Sequence, residues 1–263
     1  MNLQPALPIT APIRITVVTV CYNAASTIEV TLRSMATQTY PHVEYLIVDG
    51  ASSDGTLDVV QRYATHISRI VSEKDEGIYD AMNKGIGLAT GDVIYFLNAD
   101  DSFVDDTVLA DIAAVFEEDA SRMLVYGNVV YQDAPDGIVY GPAVPFRDGS
   151  IHEILHKPFC HQATFARLAL FEKTGTFDRS FRYVADYEWY IKAFKADPMS
   201  LYQVDRNIAN YYYQGRSYTQ GEKTRKEKAT VFFRHLMSFD MLWYWLRYMK
   251  LRGWKKKLFG EQW

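Results

Sequence analysis

The chain has 263 residues, 48% of them hydrophobic, and a formal net charge of −4. That size buries a substantial core in one large domain, or one domain with a small lobe. The slightly acidic balance gives the molecule as a whole no nucleic-acid-binding character. Two cysteines, Cys21 and Cys160, make no disulfide framework and have no zinc-site spacing, so a reducing compartment fits best. No stretch approaches the length needed to span a bilayer. Met1 to Pro12 has three prolines and no signal pattern, so it reads as a short disordered lead-in. These features predict a cytoplasmic protein.

Ile13 to Val20 is apolar and β-branched, which predicts the first strand. Ser26 is placed to cap a helix through about Gln38, with Glu29 completing a capping box. A second strand, Val43 to Val48, ends at Asp49, and Asp54 is expected to cap a helix from Thr56 to Ala64. Then come a short strand at Ile67 to Val71, a helix at Gly77 to Ala89, and a buried strand at Val93 to Leu97, with another helix starting near Asp105. The second half is less regular. Strands are predicted at Met123 to Tyr131, Gln162 to Arg167 and Tyr202 to Tyr213, and a helix at Asp186 to Lys195. Strands alternating with helices in units of about thirty residues imply an α/β fold with a parallel, doubly wound sheet. Right-handed crossovers would then set Asp49 and Asp100 along one edge.

Open sheets of this kind bind ligands at the carboxyl ends of their strands. The fourth strand ends in Asn98, Ala99, Asp100 and Asp101, where adjacent carboxylates repel unless a cation or a donor network compensates them. The alternative is a polar turn capping the next helix. Thr19, Tyr22 and Asn23 close the first strand and can receive a nucleotide base, while Asp49 can accept from a base N–H. The turn Cys21-Tyr22-Asn23-Ala24-Ala25-Ser26 has no glycine, so a dinucleotide-binding oxidoreductase is a weak reading, and no P-loop is present.

Together, the Thr19-to-Asn23 strand end, Asp49-Gly50-Ala51-Ser52-Ser53-Asp54-Gly55-Thr56, Asp80-Ala81-Met82-Asn83-Lys84-Gly85 and Asn98-Ala99-Asp100-Asp101 resemble family 2 glycosyltransferases. The similarity runs from about Ile13 to about Ser217, and Glu73 to Gly85 is especially similar to bacterial polysaccharide-assembly members. The resemblance implies a GT-A fold: a mostly parallel doubly wound sheet with helices on both faces, followed here by a C-terminal helical extension. It implies a nucleoside pocket of Thr19, Tyr22, Asn23 and Asp49, with Asp75 and Asn83 nearby. Asn98-Ala99-Asp100 matches the family's Asp-x-Asp motif, in which Asp100 would hold Mn²⁺ or Mg²⁺ on the donor diphosphate. The family's first Asp is Asn98 in this chain. Val184-Ala185-Asp186-Tyr187-Glu188-Trp189 matches the acidic motif of the acceptor region, which makes Asp186 the general base; an N-cap role is compatible with it. Glu188 is the rival and should point to a different face.

His161 and Gln162 resemble a recurring pair near the acceptor or diphosphate, although a structural histidine is equally compatible. Gln214-Gly215-Arg216-Ser217 matches a loop in which Arg216 would add a cation over the diphosphate. A Gln-x-x-Arg-Trp motif and membrane spans, which mark processive synthases, are missing, so one sugar per acceptor is expected. Residues 221–263 carry a charge of +7, leaving −11 on the rest. In that tail, 240–259 interleaves tryptophans with lysines and arginines, which reads as an interfacial membrane anchor, with a packed helix as the alternative. The organisation expected is a lead-in (1–12), a glycosyltransferase domain (13–220, with a nucleotide-sugar-binding half 13–101 and an acceptor half 102–220), and a basic aromatic extension (221–263). The expected partners are a nucleotide-sugar donor and a glycan or polyprenyl-diphosphate-linked saccharide at the inner membrane face, with no nucleic acid. Two rivals are a non-catalytic nucleotide-sugar or glycan-binding protein on the same fold and a nucleotidyltransferase; the latter would need a glycine-rich basic loop that is not visible.

Overall fold

Unbroken apolar runs make the first strands, because a parallel strand covered by helices must bury both faces. In the computed structural model, which describes residues 11–131, 139–140, 151, 160–211 and 221–236, β1 (Ile15–Cys21) is buried along its whole length. β2 (Val43–Asp49) and β4 (Val93–Phe96) are nearly as enclosed, whereas β3 (Arg69–Ser72) is a largely exposed edge. The intervening helices are α1 (Ile28–Ala36), α2 (Thr56–Gln61) and α3 (Ile78–Leu88). β5 (Ser102–Phe103), α4 (Val108–Glu118), β6 (Leu124–Tyr131), β7 (Val139–Tyr140), β8 (Thr164–Arg167), α5 (Leu168–Thr174), α6 (Ala185–Ala196) and β9 (Leu201–Tyr211) follow.

Among the described residues the strands form one nine-stranded sheet in the order β3-β2-β1-β4-β8-β6-β9-β5, with β7 paired to β6. The first four strands are parallel. From β8 onward the sheet is mixed: β8 runs antiparallel to β4 and β6, while β9 runs parallel to β6. Side chains of a strand alternate between faces, so the sheet carries two apolar layers. Ile15, Val17, Tyr45, Ile47, Val93 and Tyr95 belong to a core with residues of α1 and α4. On the other face Ile94 and Phe96 line a pocket with Met82 of α3, Phe171 of α5 and Trp189 of α6. There α3 lies close to β1, since a Cβ at Gly85 would come within 2.6 Å of the Val18 side chain.

The start of α1 differs from expectation. Its N-cap is Thr27 without a side-chain cap, and the Ala24 carbonyl takes the amides of Thr27 (3.0 Å) and Ile28 (2.9 Å). Glu29 turns instead toward Tyr63 and Arg62, so the Ser26–Glu29 capping box does not form. The N-cap of α2 is Gly55 and not the expected Asp54, although Asp54, one residue earlier, still accepts the Thr56 amide at 3.0 Å. That helix stops at Gln61 and continues as a 3₁₀ turn at Ala64–His66.

The chain separates into two compact units, Met1–Thr219 and Gln220–Trp263. In the second, α7 (Gly221–Leu236) has Glu222 in its first turn and Arg234 and His235 in its last, which complements the helix dipole. The expected membrane-facing segment 240–259 and the Arg216 loop lie outside the described residues. Among the described residues no helix is long and apolar enough to cross a membrane.

Candidate active site

β1 is followed by β2 on one side and faces β4 on the other, so strand order reverses between β1 and β4. Such a switch point opens a crevice at the carboxyl ends of the strands. The β1–α1 turn on its rim is laced to the β2–α2 loop. The amides of Asn23, Ala24 and Ala25 donate to Ser52 Oγ (2.8 Å), Thr56 Oγ1 (2.8 Å) and Asp54 Oδ2 (3.0 Å). Asn23 Oδ1 accepts the Ser53 amide in return at 2.9 Å. This reciprocity holds Asn23 and Ala51 at positive φ, 49° and 62°.

Of the nucleoside-pocket residues expected from the sequence, Thr19 is fully buried and its hydroxyl pairs with the Tyr45 hydroxyl at 3.0 Å. It therefore supports the pocket from behind. Asp49 is equally buried. Its Oδ2 accepts from the Ser52 amide (2.9 Å) and Ser72 Oγ (2.6 Å), and its Oδ1 from Ser52 Oγ and the Cys21 thiol (3.6 Å). Tyr22, by contrast, is 56% exposed. The Asp75 carboxylate and the Tyr22 ring meet above Gly50, where any Cβ would collide with Asp75.

The Asp80-to-Gly85 motif is a clamp on the second half. Asn83 donates to the Phe177 carbonyl (2.8 Å) and accepts the Phe177 amide (2.9 Å), which spends its amide away from the crevice. Asp80 pairs with Arg179 at 2.6 Å; the Glu76 amide and Arg179 outweigh partial burial and hold its carboxyl below the ordinary range.

Beyond β4, the turn Asn98–Asp101 is pinned by Thr31 of α1, whose hydroxyl donates to the carbonyls of Asp101 (2.7 Å) and Asn98 (3.1 Å). Burial pushes the Asp100 carboxyl up, against its own backbone amide and the nearby His161. Among the described residues no Lys or Arg lies within ion-pair distance of Asp100. Asn98 Nδ2 lies 2.9 Å from His161 Nε2, while Asn98 Oδ1 is buried without a hydrogen-bond partner among the described residues.

His161 carries the contact onward. Its Nδ1 is 3.4 Å from Asp186 Oδ2, and the Tyr79 hydroxyl donates to Asp186 Oδ1 at 2.8 Å. Asp186 and His161 keep 22% and 23% of their side-chain surface open. Burial alone would raise the Asp186 carboxyl, but His161 and Tyr79 together outweigh it and leave the pKa lowered. Asp186 is thus held ionised. Glu188, one face away on α6, is almost fully buried beside Lys192 at 3.4 Å.

Gln162, next to His161 in a 3₁₀ turn, points inward. Its Oε1 faces the Cys160 thiol at 2.8 Å, and its carbonyl accepts from the Tyr95 hydroxyl at 2.6 Å. Burial pushes the Cys160 thiol up to about 12, so it is a packing group.

The structure therefore brings Asn98, Asp100, His161 and Asp186 to one place, with Tyr22, Asn23 and Asp75 on the strand ends beside it. Thr19, Asp49, Asn83 and Gln162 are built into the walls. Tyr79, which directly precedes the Asp80-to-Gly85 motif, was not singled out in the sequence, yet its hydroxyl is the one bonded to Asp186.

The sequence profile described as "Glycosyl transferase family 2" matches residues 16–175. The chain belongs to that family. It is a glycosyltransferase, and the two rival readings fall away. It is 33% identical over 196 residues to a PGL/p-HBAD biosynthesis glycosyltransferase of Mycobacterium bovis, covering 72% of this chain and 73% of that one. It is 31% identical over 142 residues to TuaG of Bacillus subtilis, whose name assigns it to teichuronic acid biosynthesis; that match covers 49% of this chain and 56% of the relative. Glucosyl-3-phosphoglycerate synthase from Mycobacterium tuberculosis, solved with Mn²⁺, UDP and phosphoglyceric acid, superposes with a TM-score of 0.65 at 17% identity, covering 86% of this chain and 80% of that one. The family 2 domain accordingly has the GT-A architecture.

Proposed function

We propose that this family 2 enzyme is an inverting, cation-dependent glycosyltransferase. It moves one sugar from a nucleotide-sugar donor to a hydroxyl of a glycan or lipid-linked saccharide during bacterial cell-surface polysaccharide assembly. The observation that carries this reading is the chain of contacts Tyr79–Asp186–His161–Asn98, which sets an ionised carboxylate beside the Asn98–Asp101 turn.

Asp186 takes the proton of the acceptor hydroxyl as its oxygen bonds to the anomeric carbon and the bond to the departing diphosphate breaks. General-base assistance of this kind contributes roughly 10²–10⁴-fold. Tyr79 and His161 orient the carboxylate and keep it ionised, so the base is ready at neutral pH.

A divalent cation fits the other side. Asp100 is a desolvated carboxylate with no ion-pair partner among the described residues, and Asn98 Oδ1 is an unsatisfied hard oxygen. Among the described residues no cluster of three His, Cys, Asp or Glu side chains could hold a metal alone. Asp100, with the Asn98 oxygen in reach of the same turn, would hold Mn²⁺ or Mg²⁺, and oxygens of the donor diphosphate would complete the set. When bound, the ion supplies positive charge for the leaving nucleoside diphosphate. The mycobacterial synthase crystallised with Mn²⁺ and UDP supports this choice.

The relatives named for PGL/p-HBAD biosynthesis and teichuronic acid biosynthesis support a role in cell-surface polysaccharide assembly. The basic, tryptophan-rich segment 240–259 would suit a peripheral position on the cytoplasmic membrane face, beside a polyprenyl-diphosphate-linked acceptor. In the Gln214–Ser217 motif, Arg216 would add a positive charge for the diphosphate.

The test is a thermal-shift screen of nucleotide sugars with and without Mn²⁺, followed by nucleoside-diphosphate release with lipid-linked saccharides. A saturating donor at about 100 times its Kd should add about 2.7 kcal/mol of stability. Equal binding with and without Mn²⁺ would remove the cation from the account.

A further inference from the structure

The donor's nucleobase is read from the strand ends, and the acceptor atoms available there are countable. An ionised carboxylate offers about four lone-pair sites. Asp49 has filled them: Ser52 Oγ and the Cys21 thiol on Oδ1, the Ser52 amide and Ser72 Oγ on Oδ2. It is also fully shielded from solvent. A base N–H could reach Asp49 only by displacing two serines and opening the loop that holds the β1–α1 turn.

Asp75 is arranged differently. Its Oδ1 accepts the Gly77 amide at 2.9 Å, which fixes the side chain in an Asx turn. Its Oδ2 hangs over Gly50 with no hydrogen-bond partner among the described residues. Gly50 is what permits this approach, because a Cβ would sit inside the carboxylate. Beside it, the same missing Cβ would lie 3.3 Å from the Tyr22 ring, which is more than half exposed. A flat floor, an open aromatic face and one unspent acceptor thus converge at the end of β2. Aromatic faces of this kind stack bases without choosing among them, so the choice falls to the polar atom.

We propose that Asp75, not Asp49, is the residue that reads the donor base, and that it selects a base with a ring N–H: uracil, thymine or guanine. The inference rests on the nucleotide-sugar reading above. A carboxylate accepts and cannot donate. It therefore matches the imide N–H of uracil or thymine and the ring N–H of guanine, and it faces a lone pair on the ring nitrogen of cytosine or adenine. An unmatched buried polar pair of this kind discriminates strongly between near-isosteric ligands. Uracil and cytosine differ mainly in that pattern.

The experiment is calorimetric titration of the full chain with UDP, dTDP, GDP, CDP and ADP in Mn²⁺, for the wild type, Asp75→Asn and Gly50→Ala. The wild type should favour UDP over CDP, or GDP over ADP, by at least about tenfold. Asp75→Asn can keep its oxygen on the Gly77 amide and turn an N–H₂ toward the base, so the preference should collapse by about tenfold or reverse. Gly50→Ala displaces the carboxylate by another route and should erode the same ratio. A wild-type preference that persists unchanged in both variants overturns the assignment to Asp75, as does tightest wild-type binding of CDP or ADP. If the wild type binds none of the five, the nucleotide-sugar reading itself falls, and this inference falls with it.

Discussion

Tyr79→Phe is the sharpest probe of the arrangement around Asp186. The change deletes one oxygen from a side chain that is otherwise almost wholly buried, so the ring and its contacts with Phe177 should survive. What disappears is the 2.8 Å hydrogen bond to Asp186 Oδ1. A hydrogen bond to a charged group is worth about 1.5–3 kcal/mol. Thermal unfolding should therefore shift down by roughly 3–10 °C for a domain of this size. The same bond is one of those holding the Asp186 carboxyl low. Its loss raises that pKa, so the acidic limb of the kcat–pH profile moves to higher pH. If the full interaction is also felt in the transition state, kcat falls by about 10- to 100-fold, while KM for the donor stays near the wild-type value. A variant with the wild-type pH profile and kcat would show that Tyr79 only fills space and does not position the base.

Asp186→Asn should nearly abolish transfer, because its amide cannot take the acceptor proton; a turnover assay under saturating donor checks this. In chemical denaturation, the stability added by the ionised Asp186 should be present above the ordinary carboxylate value of 3.8 and be lost as pH falls through its lower folded value. The gap between wild type and Asp186→Asn should accordingly narrow on acidification. Asn83→Ala strands the amide and carbonyl of Phe177 and should cost about 2–4 kcal/mol, read as a lower denaturation midpoint with an unchanged slope. Asp100→Ala should weaken donor binding in Mn²⁺ and leave binding in chelator little changed, measured by calorimetry.

The parallel half of the fold was legible because β1, β2 and β4 are buried on both faces, and such strands write themselves as apolar runs. The strand-end position of the Asn98–Asp101 turn followed directly. The second half was less legible for a physical reason. β5 and β7 have two residues each, too short for any period, and α5 follows β8 without a break. The α1 capping box failed because side chains from the β2–α2 loop, distant in sequence, took over the β1–α1 turn.

At the site, motif position placed residues at the strand ends and did not say which way their side chains face. Asp49, Thr19 and Asn83 carry suitable chemistry but spend it on partners such as Ser52, Tyr45 and Phe177. Tyr79 carries an ordinary aromatic signal, and only tertiary packing brings it against Asp186, 107 positions away.

Asp186 is the group proposed to take the acceptor's proton. One sample of Asp186→Asn, titrated with the donor in Mn²⁺ and then supplied with acceptor, tests it directly. Donor affinity close to wild type with nucleoside-diphosphate release reduced by about 10²-fold or more is the expected result. Turnover at the wild-type rate would contradict it.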